Sequence, residues 1–72
     1  MLTVWTIYNH PHDHPSKWVL RAHDVTPEGG TRARADFFTA DTLDLIRSYV
    51  PAGLYRLPRD PHDDPVIYET WI

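Results

Sequence analysis

Three histidines, His10, His12 and His14, alternate with other residues near the start of the chain. In an extended strand, residues two apart share a face at a spacing of about 6.5–7 Å, so three imidazoles could line one side. Neutral imidazole binds zinc, nickel or copper, and the neighbouring aspartate or the later run 62–64 could supply a fourth ligand. The interleaved prolines favour polyproline II geometry instead, whose three-residue period would separate the rings. A divalent metal site is therefore one hypothesis, and a polar loop without a ligand is the other.

Acidic residues and nucleophiles are the remaining candidates for catalytic chemistry. Asp63 and Asp64, with Asp60 nearby, could bind Mg²⁺ or exchange protons. In an Asp-Asp-Pro turn, however, carboxylates commonly accept hydrogen bonds from backbone N–H groups. The two serines, Ser16 and Ser48, lie outside any nucleophile-elbow motif, and the chain has no cysteine. We therefore expect a protein that is not an enzyme.

Aromatic side chains are the more informative feature, since three tryptophans and four tyrosines occur in only 72 residues. Most of them fall in predicted strands, and one helix can cover only one face of a small sheet. Trp and Tyr are enriched at the energetic centres of protein interfaces. The competing interpretation is that these side chains form the core. If the aromatic residues belong to an interface, five side chains of the outer strands form an interaction surface for another protein or a second copy of the chain: Trp5, Ile7, Tyr55, Ile67 and Trp71.

The charge balance argues against a general nucleic-acid binder. The chain has seven Lys and Arg residues and ten Asp and Glu residues, which gives a net charge of −3 at pH 7. Proteins that bind nucleic acid without sequence preference usually carry a basic excess, because neutralising phosphates supplies their affinity. Stacking of RNA bases on sheet aromatics stays a further alternative, because arginines accompany them at positions 32, 34, 56 and 59.

The length of 72 residues predicts a single domain, residues 1–72, with room for one small core. No segment approaches the roughly 20 apolar residues that a membrane-spanning helix needs. The first residues lack the basic segment and the small-residue cleavage site of a signal peptide. We therefore expect a cytoplasmic protein.

Two alternating segments at the start of the chain predict a β-hairpin. Residues 2–8 are largely apolar or β-branched on both sides, which suits a strand covered on at least one face. Residues 17–25 alternate between apolar and polar side chains, and the proline-rich segment 9–16 forms a wide connecting loop. In the second strand, the residues predicted to face inward are Trp18, Leu20 and Ala22.

The middle of the chain predicts a third strand and then a helix. Residues 31–38 alternate small or aromatic with charged side chains, which favours a strand, although Ala and Arg keep a helix open as the alternative. The helix of about ten residues is expected to begin at a Thr39 or Asp41 cap and to end before Pro51. Its apolar stripe is Leu43, Ile46 and Val50.

Two further strands, residues 54–57 and 66–72, complete the predicted order β-β-β-α-β-β. This order corresponds to an α+β domain, a small antiparallel sheet of four to five strands with one helix packed on a face. The loops 9–16 and 58–65 both follow a strand that ends near a tyrosine. If the two hairpins are adjacent, these loops lie at the same end of the sheet.

Several segments together resemble short proteins encoded in proteobacterial genomes and prophages: Trp5-Thr-Ile-Tyr8, Leu57-Pro-Arg-Asp60, and Asp63-Asp-Pro-x-Ile67 with Trp71. The resemblance covers most of the chain and implies a bacterial or phage origin, with no activity attached. We expect a small accessory protein that acts by protein–protein interaction or self-association. A protein that binds zinc or nickel through its histidine loop is the alternative.

Overall fold

A computed structural model describes residues 2–72, and its elements follow the predicted order. The strands form one antiparallel sheet in the order β3-β2-β1-β5-β4. An antiparallel sheet with one helix confirms the broad α+β class, although the helix has only six residues and the domain is mostly sheet. The elements are β1 (Leu2–Asn9), β2 (Trp18–Val25), β3 (Thr31–Ala40), α1 (Leu43–Ser48), β4 (Arg56–Leu57) and β5 (Ile67–Trp71).

The predicted hairpin of β1 and β2 is confirmed, and β1 is the central strand of the sheet. Trp5 lies opposite Ala22 on β2 and opposite Trp71 on β5. Its hydrogen-bonding edges are paired with β2 and β5, while α1 lies over one face of the sheet and the β1–β2 loop over part of the other, which explains the apolar and β-branched residues on both sides of β1.

The core lies between the sheet and α1, on what we call the helix face of the sheet. Ile7, Leu20, Ala40 and Ile46 are buried there, with Trp5, Trp18, Tyr68 and Trp71 among the side chains packed around them. Ile46 is fully buried, and its burial contributes about 1.5–3 kcal/mol relative to an exposed side chain. Since a six-residue helix is unstable alone, this packing is what holds α1 in place.

The opposite face of the sheet, which we call the loop face, is partly covered by the β1–β2 loop. The side chain of Arg21 donates from Nη2 to Oδ2 of Asp13 in that loop at 3.1 Å. The ring of His14 lies 5.1 Å from that of Phe37. Val19, on the same face, is fully buried. The expectation that only one face would be covered within the chain is therefore wrong here.

Strand β3 settles the open choice between strand and helix for residues 31–38. It extends to Ala40, two residues beyond the predicted segment, and pairs with β2 along its length. A register shift between Arg21 and His23 of β2 places residues 34–36 of β3 opposite a single residue. Cross-strand pairing thus overrides the helix propensity of Ala and Arg.

The helix is shorter than predicted, and its cap is a different residue. The hydroxyl of Thr42 accepts a hydrogen bond from the backbone N–H of Leu45 at 3.2 Å. Thr39 belongs to β3 instead, and Asp41 pairs with Lys17, so neither predicted residue caps α1. The extension of β3 to Ala40 leaves the chain free to turn only after that residue. Strands β4 and β5 are likewise shorter than the predicted 54–57 and 66–72.

Candidate interaction surface at the sheet edge

The three histidines of the first loop do not converge. His10 has a backbone φ of 51°, and its ring lies 5.3 Å from that of Trp18 on the helix face. His14 packs instead against Phe37 on the loop face. The loop therefore directs these two imidazoles to opposite sides of the sheet. Within residues 2–72, no group of three or more His, Asp or Glu side chains is close enough to hold a metal ion.

The two long loops lie at the same end of the sheet, as predicted. The backbone N–H of Asn9 donates to the carbonyl of Val66 at 2.7 Å and joins the end of β1 to the start of β5. An open groove of about 760 Å³ runs between the loops, and His10, His12 and Asp64 lie along it.

Carboxylates of the second loop act in turns, as their sequence context predicts. Asp60 accepts a hydrogen bond from the backbone N–H of His62 at 2.9 Å. Asp64 accepts one from the N–H of Val66 at 3.0 Å. These bonds satisfy backbone donors next to prolines, and they account for the positions of two of the three aspartates.

The five side chains expected to form an interaction surface do not share one. Ile7 is fully buried and is a core residue, because β1 is central and α1 covers this position. Trp5 and Trp71 are half-buried on the helix face, where they pack against the core. Ile67 is half-buried opposite Tyr8. Tyr55 alone of the five is largely exposed, at 79%.

The longest run of exposed residues in any helix or strand of residues 2–72 lies on β3, which sequence reasoning did not single out as a surface. It forms one edge of the sheet, and its residues 31–39 are all exposed. Phe37 and Phe38 are 38% and 44% exposed. An edge strand presents unpaired backbone N–H and C=O groups on its outer side, which can pair with another strand. Two consecutive phenylalanines in a predicted strand were the available signal, since such neighbours must point to opposite faces.

An apolar surface continues from this edge onto the helix. The rings of Phe38 and Tyr49 stack with their centroids 5.3 Å apart and an angle of 23° between planes. Leu45 lies one helical turn before Tyr49, and both are exposed. We call Phe38, Leu45 and Tyr49 the β3 patch. Sequence patterns missed it because Leu45 and Tyr49 flank the buried stripe of the helix.

Charged side chains order the first half of β3. Arg34 donates from Nε and Nη2 to the carboxylate of Asp24, at 3.2 and 3.0 Å, and from Nη2 to the hydroxyl of Thr3 at 3.2 Å. Hydrogen bonds from Arg34 and Thr3 lower the pKa of Asp24. The guanidinium carbon of Arg34 also lies 6.0 Å from the ring centre of Trp5. The exposed edge is thus anchored to β1 and β2.

Comparison of the chain with protein-family models, with curated proteins and with solved structures finds no match. Among residues 2–72, no helix is both long enough and apolar enough to cross a membrane. We therefore base the proposed function on the exposed surface of β3 and on the β3 patch.

Proposed function

We propose that this protein acts by protein–protein interaction, as a homodimer that forms through β3, and that it is not an enzyme. The observation that supports this most is the run of nine exposed residues along β3, bordered by the β3 patch. Addition of a strand to an open sheet edge is a common mode of recognition, in which backbone hydrogen bonds supply affinity and side chains supply specificity.

The sequence of β3 favours a second copy as the partner. The exposed residues 31–39 are centred on Ala35, in the middle of the irregular segment 34–36, so antiparallel pairing about a two-fold axis at Ala35 would align the regular residues 31–33 of each subunit with residues 37–39 of the other. Arg34 would then lie opposite Asp36 of the partner subunit. Arg32 would lie opposite Phe38 of the partner subunit. Opposite charges and cation–aromatic pairs across strands are both stabilising.

The same axis would extend the sheet and align the apolar surfaces. A two-fold axis perpendicular to the sheet keeps both helix faces on one side, so ten strands would form one continuous layer. Each Phe38 would then be shielded by the aliphatic stem of Arg32 of the partner subunit. Burying this edge would also remove the aggregation hazard that a long exposed strand presents.

The test is the mass of the protein in solution, measured by sedimentation over a range of concentrations, for the parent chain and two charge variants. Asp36→Arg places like charges opposite each other twice in the symmetric dimer, and we expect dimerisation to weaken about tenfold. Asp63→Arg makes the same change of charge on an exposed loop outside β3, and it should leave the dimer intact.

Circular dichroism of both variants should match the parent chain, because residues 36 and 63 are exposed. A parent chain that stays monomeric at the highest concentration reached would overturn the proposal. Equal weakening by both substitutions would also contradict it, since the effect would then come from net charge and not from the β3 pairing.

A further inference from the structure

A pocket with a positive net charge lies at the edge of the sheet opposite β3, where α1, β4 and β5 meet. Its volume is about 390 Å³, and its polar lining comes from three arginines, Arg47, Arg56 and Arg59, together with Tyr68 and Glu69. Arg47 lies on α1, whereas Arg56 and Arg59 lie on β4 and directly after it, so the fold brings Arg47 to the other two. This pocket shares no residue with β3 or the β3 patch.

Glu69 forms the floor of the pocket and neutralises part of its charge. Its carboxylate is buried and accepts hydrogen bonds from Nε of Arg47 at 2.9 Å and from Nε1 of Trp71 at 3.1 Å. Nη1 of Arg56 lies 3.6 Å from the same carboxylate. Burial raises the pKa of Glu69, but the hydrogen bonds from Arg47 and Trp71 outweigh it, so the pKa lies below its ordinary value and the group is charged near neutral pH.

An excess of positive charge remains after this pairing. Three guanidinium groups and one carboxylate line the pocket, in a chain whose net charge is −3. The side chain of Arg56 is 58% exposed, and its contact with Glu69 is long, at 3.6 Å. Arg59 makes one long contact of 3.4 Å, to the carbonyl of Pro65. Both are therefore available to an anion, and the planar fork of arginine matches two oxygens of a phosphate group.

We infer that this pocket binds a phosphate group, either as the free ion or as part of a small organic ester. Arg56 and Arg59 would hold the phosphate oxygens, and Glu69 would act as a positioning residue that orients Arg47 and Arg56. A volume of about 390 Å³ lies at the lower end of the range for small-molecule sites, which suits a compact ligand. Leu57 and Pro58 form an apolar wall beside these charges, where the organic part of an ester would lie.

The test is a titration with inorganic phosphate at constant ionic strength and near-neutral pH, followed by amide NMR of the full chain. We expect saturable shifts of the amide signals of residues 56, 57 and 59 and of those around Arg47 and Tyr68. Arg56→Gln and Arg59→Gln should each weaken binding about tenfold, since each removes a charge-assisted contact. Lys17→Gln, which removes the same charge at a site outside the pocket, should change affinity less than about twofold.

A second titration with adenosine monophosphate distinguishes the source of the phosphate. Tighter binding than inorganic phosphate identifies an ester as the ligand, and equal binding identifies the free ion; both support the pocket. Shifts that do not saturate, or a loss with Lys17→Gln equal to that with Arg59→Gln, would overturn the inference by revealing general charge screening. The NMR spectra themselves report whether each variant is folded. Because β3 lies at the opposite edge, a monomeric chain should still bind.

Discussion

The guanidinium of Arg47 lies against the buried carboxylate of Glu69, and this pair joins α1 to β5. Nε of Arg47 donates to both carboxylate oxygens, at 2.9 and 3.2 Å, and Nη2 donates to Oε1 as well. The two residues are 22 positions apart in the sequence. Because α1 has only six residues, this pair and Ile46 together hold the helix against the sheet.

Removing the arginine of this pair should destabilise the domain. In Arg47→Ala, the carboxylate of Glu69 loses its main partner while it stays buried, and we expect a loss of about 2 kcal/mol in the free energy of unfolding. Urea denaturation followed by tryptophan fluorescence measures this loss. Arg59→Ala is the matched control: it removes the same charge from an exposed side chain without a contact to Glu69, and should cost less than about 0.5 kcal/mol. Equal losses would mean that the pair contributes nothing specific.

Stability should fall in acid, because the pKa values of Glu69 and Asp24 are both lowered in the folded protein. Their ordinary values in the unfolded chain are about 4.3 and 3.9. As the pH falls, the unfolded state therefore binds protons first. The stabilisation is complete above about pH 5 and is lost progressively as the pH falls through the lowered folded values.

The variant Glu69→Gln tests the contribution of Glu69 to this dependence. It should be less stable than the parent chain at neutral pH, because Arg47 loses a charged partner. Its stability should also change less between about pH 5 and pH 3, since one of the two shifted carboxyls is gone. Melting temperatures across that range measure both effects. Parallel curves for the two proteins would show that Glu69 does not cause the acid dependence.

The hydroxyl of Thr42 should contribute measurably to the helix. Thr42→Ala leaves the backbone N–H of Leu45 without its side-chain acceptor, and should cost about 1 kcal/mol of stability. Thr42→Ser keeps the acceptor and should cost much less. Urea denaturation of the two variants measures the difference. If the two substitutions lower the free energy of unfolding equally, the methyl group of Thr42 stabilises the helix and its hydroxyl does not.

Zinc should not stabilise the protein through its first loop. A ligand present at a hundred times its Kd adds about 2.7 kcal/mol to the free energy of unfolding, a shift that a thermal melt detects easily. Because His10 and His14 lie on opposite sides of the sheet, we expect no such shift. A zinc-dependent rise in melting temperature that disappears when His10, His12 and His14 are all replaced by asparagine would contradict this expectation and restore the metal hypothesis.

Local patterns in the sequence predicted the order of the elements and the class of the fold. The alternation in residues 2–8 and 17–25, the prolines of the loops and the apolar stripe of Ile46 and its neighbours all act over a few residues. They therefore do not depend on what the rest of the chain does. The turn role of Asp60 and Asp64 followed from the same local chemistry. The cap of α1 was wrong because the end of β3 depends on its pairing with β2.

Only the tertiary structure decided which of these side chains are exposed and which meet. Ile7 is a core residue because β1 is central, whereas Phe37 and Phe38 are exposed because β3 is an edge strand. Strand order follows from contacts between residues far apart in the chain, and period-two alternation is the same in a central strand and an edge strand. The sequence by itself therefore determined the number and order of the elements, whereas pairing with β2 decided that residues 31–40 form a strand and where α1 begins. The positions of β3 and of the arginine pocket on the surface came from how those elements pack.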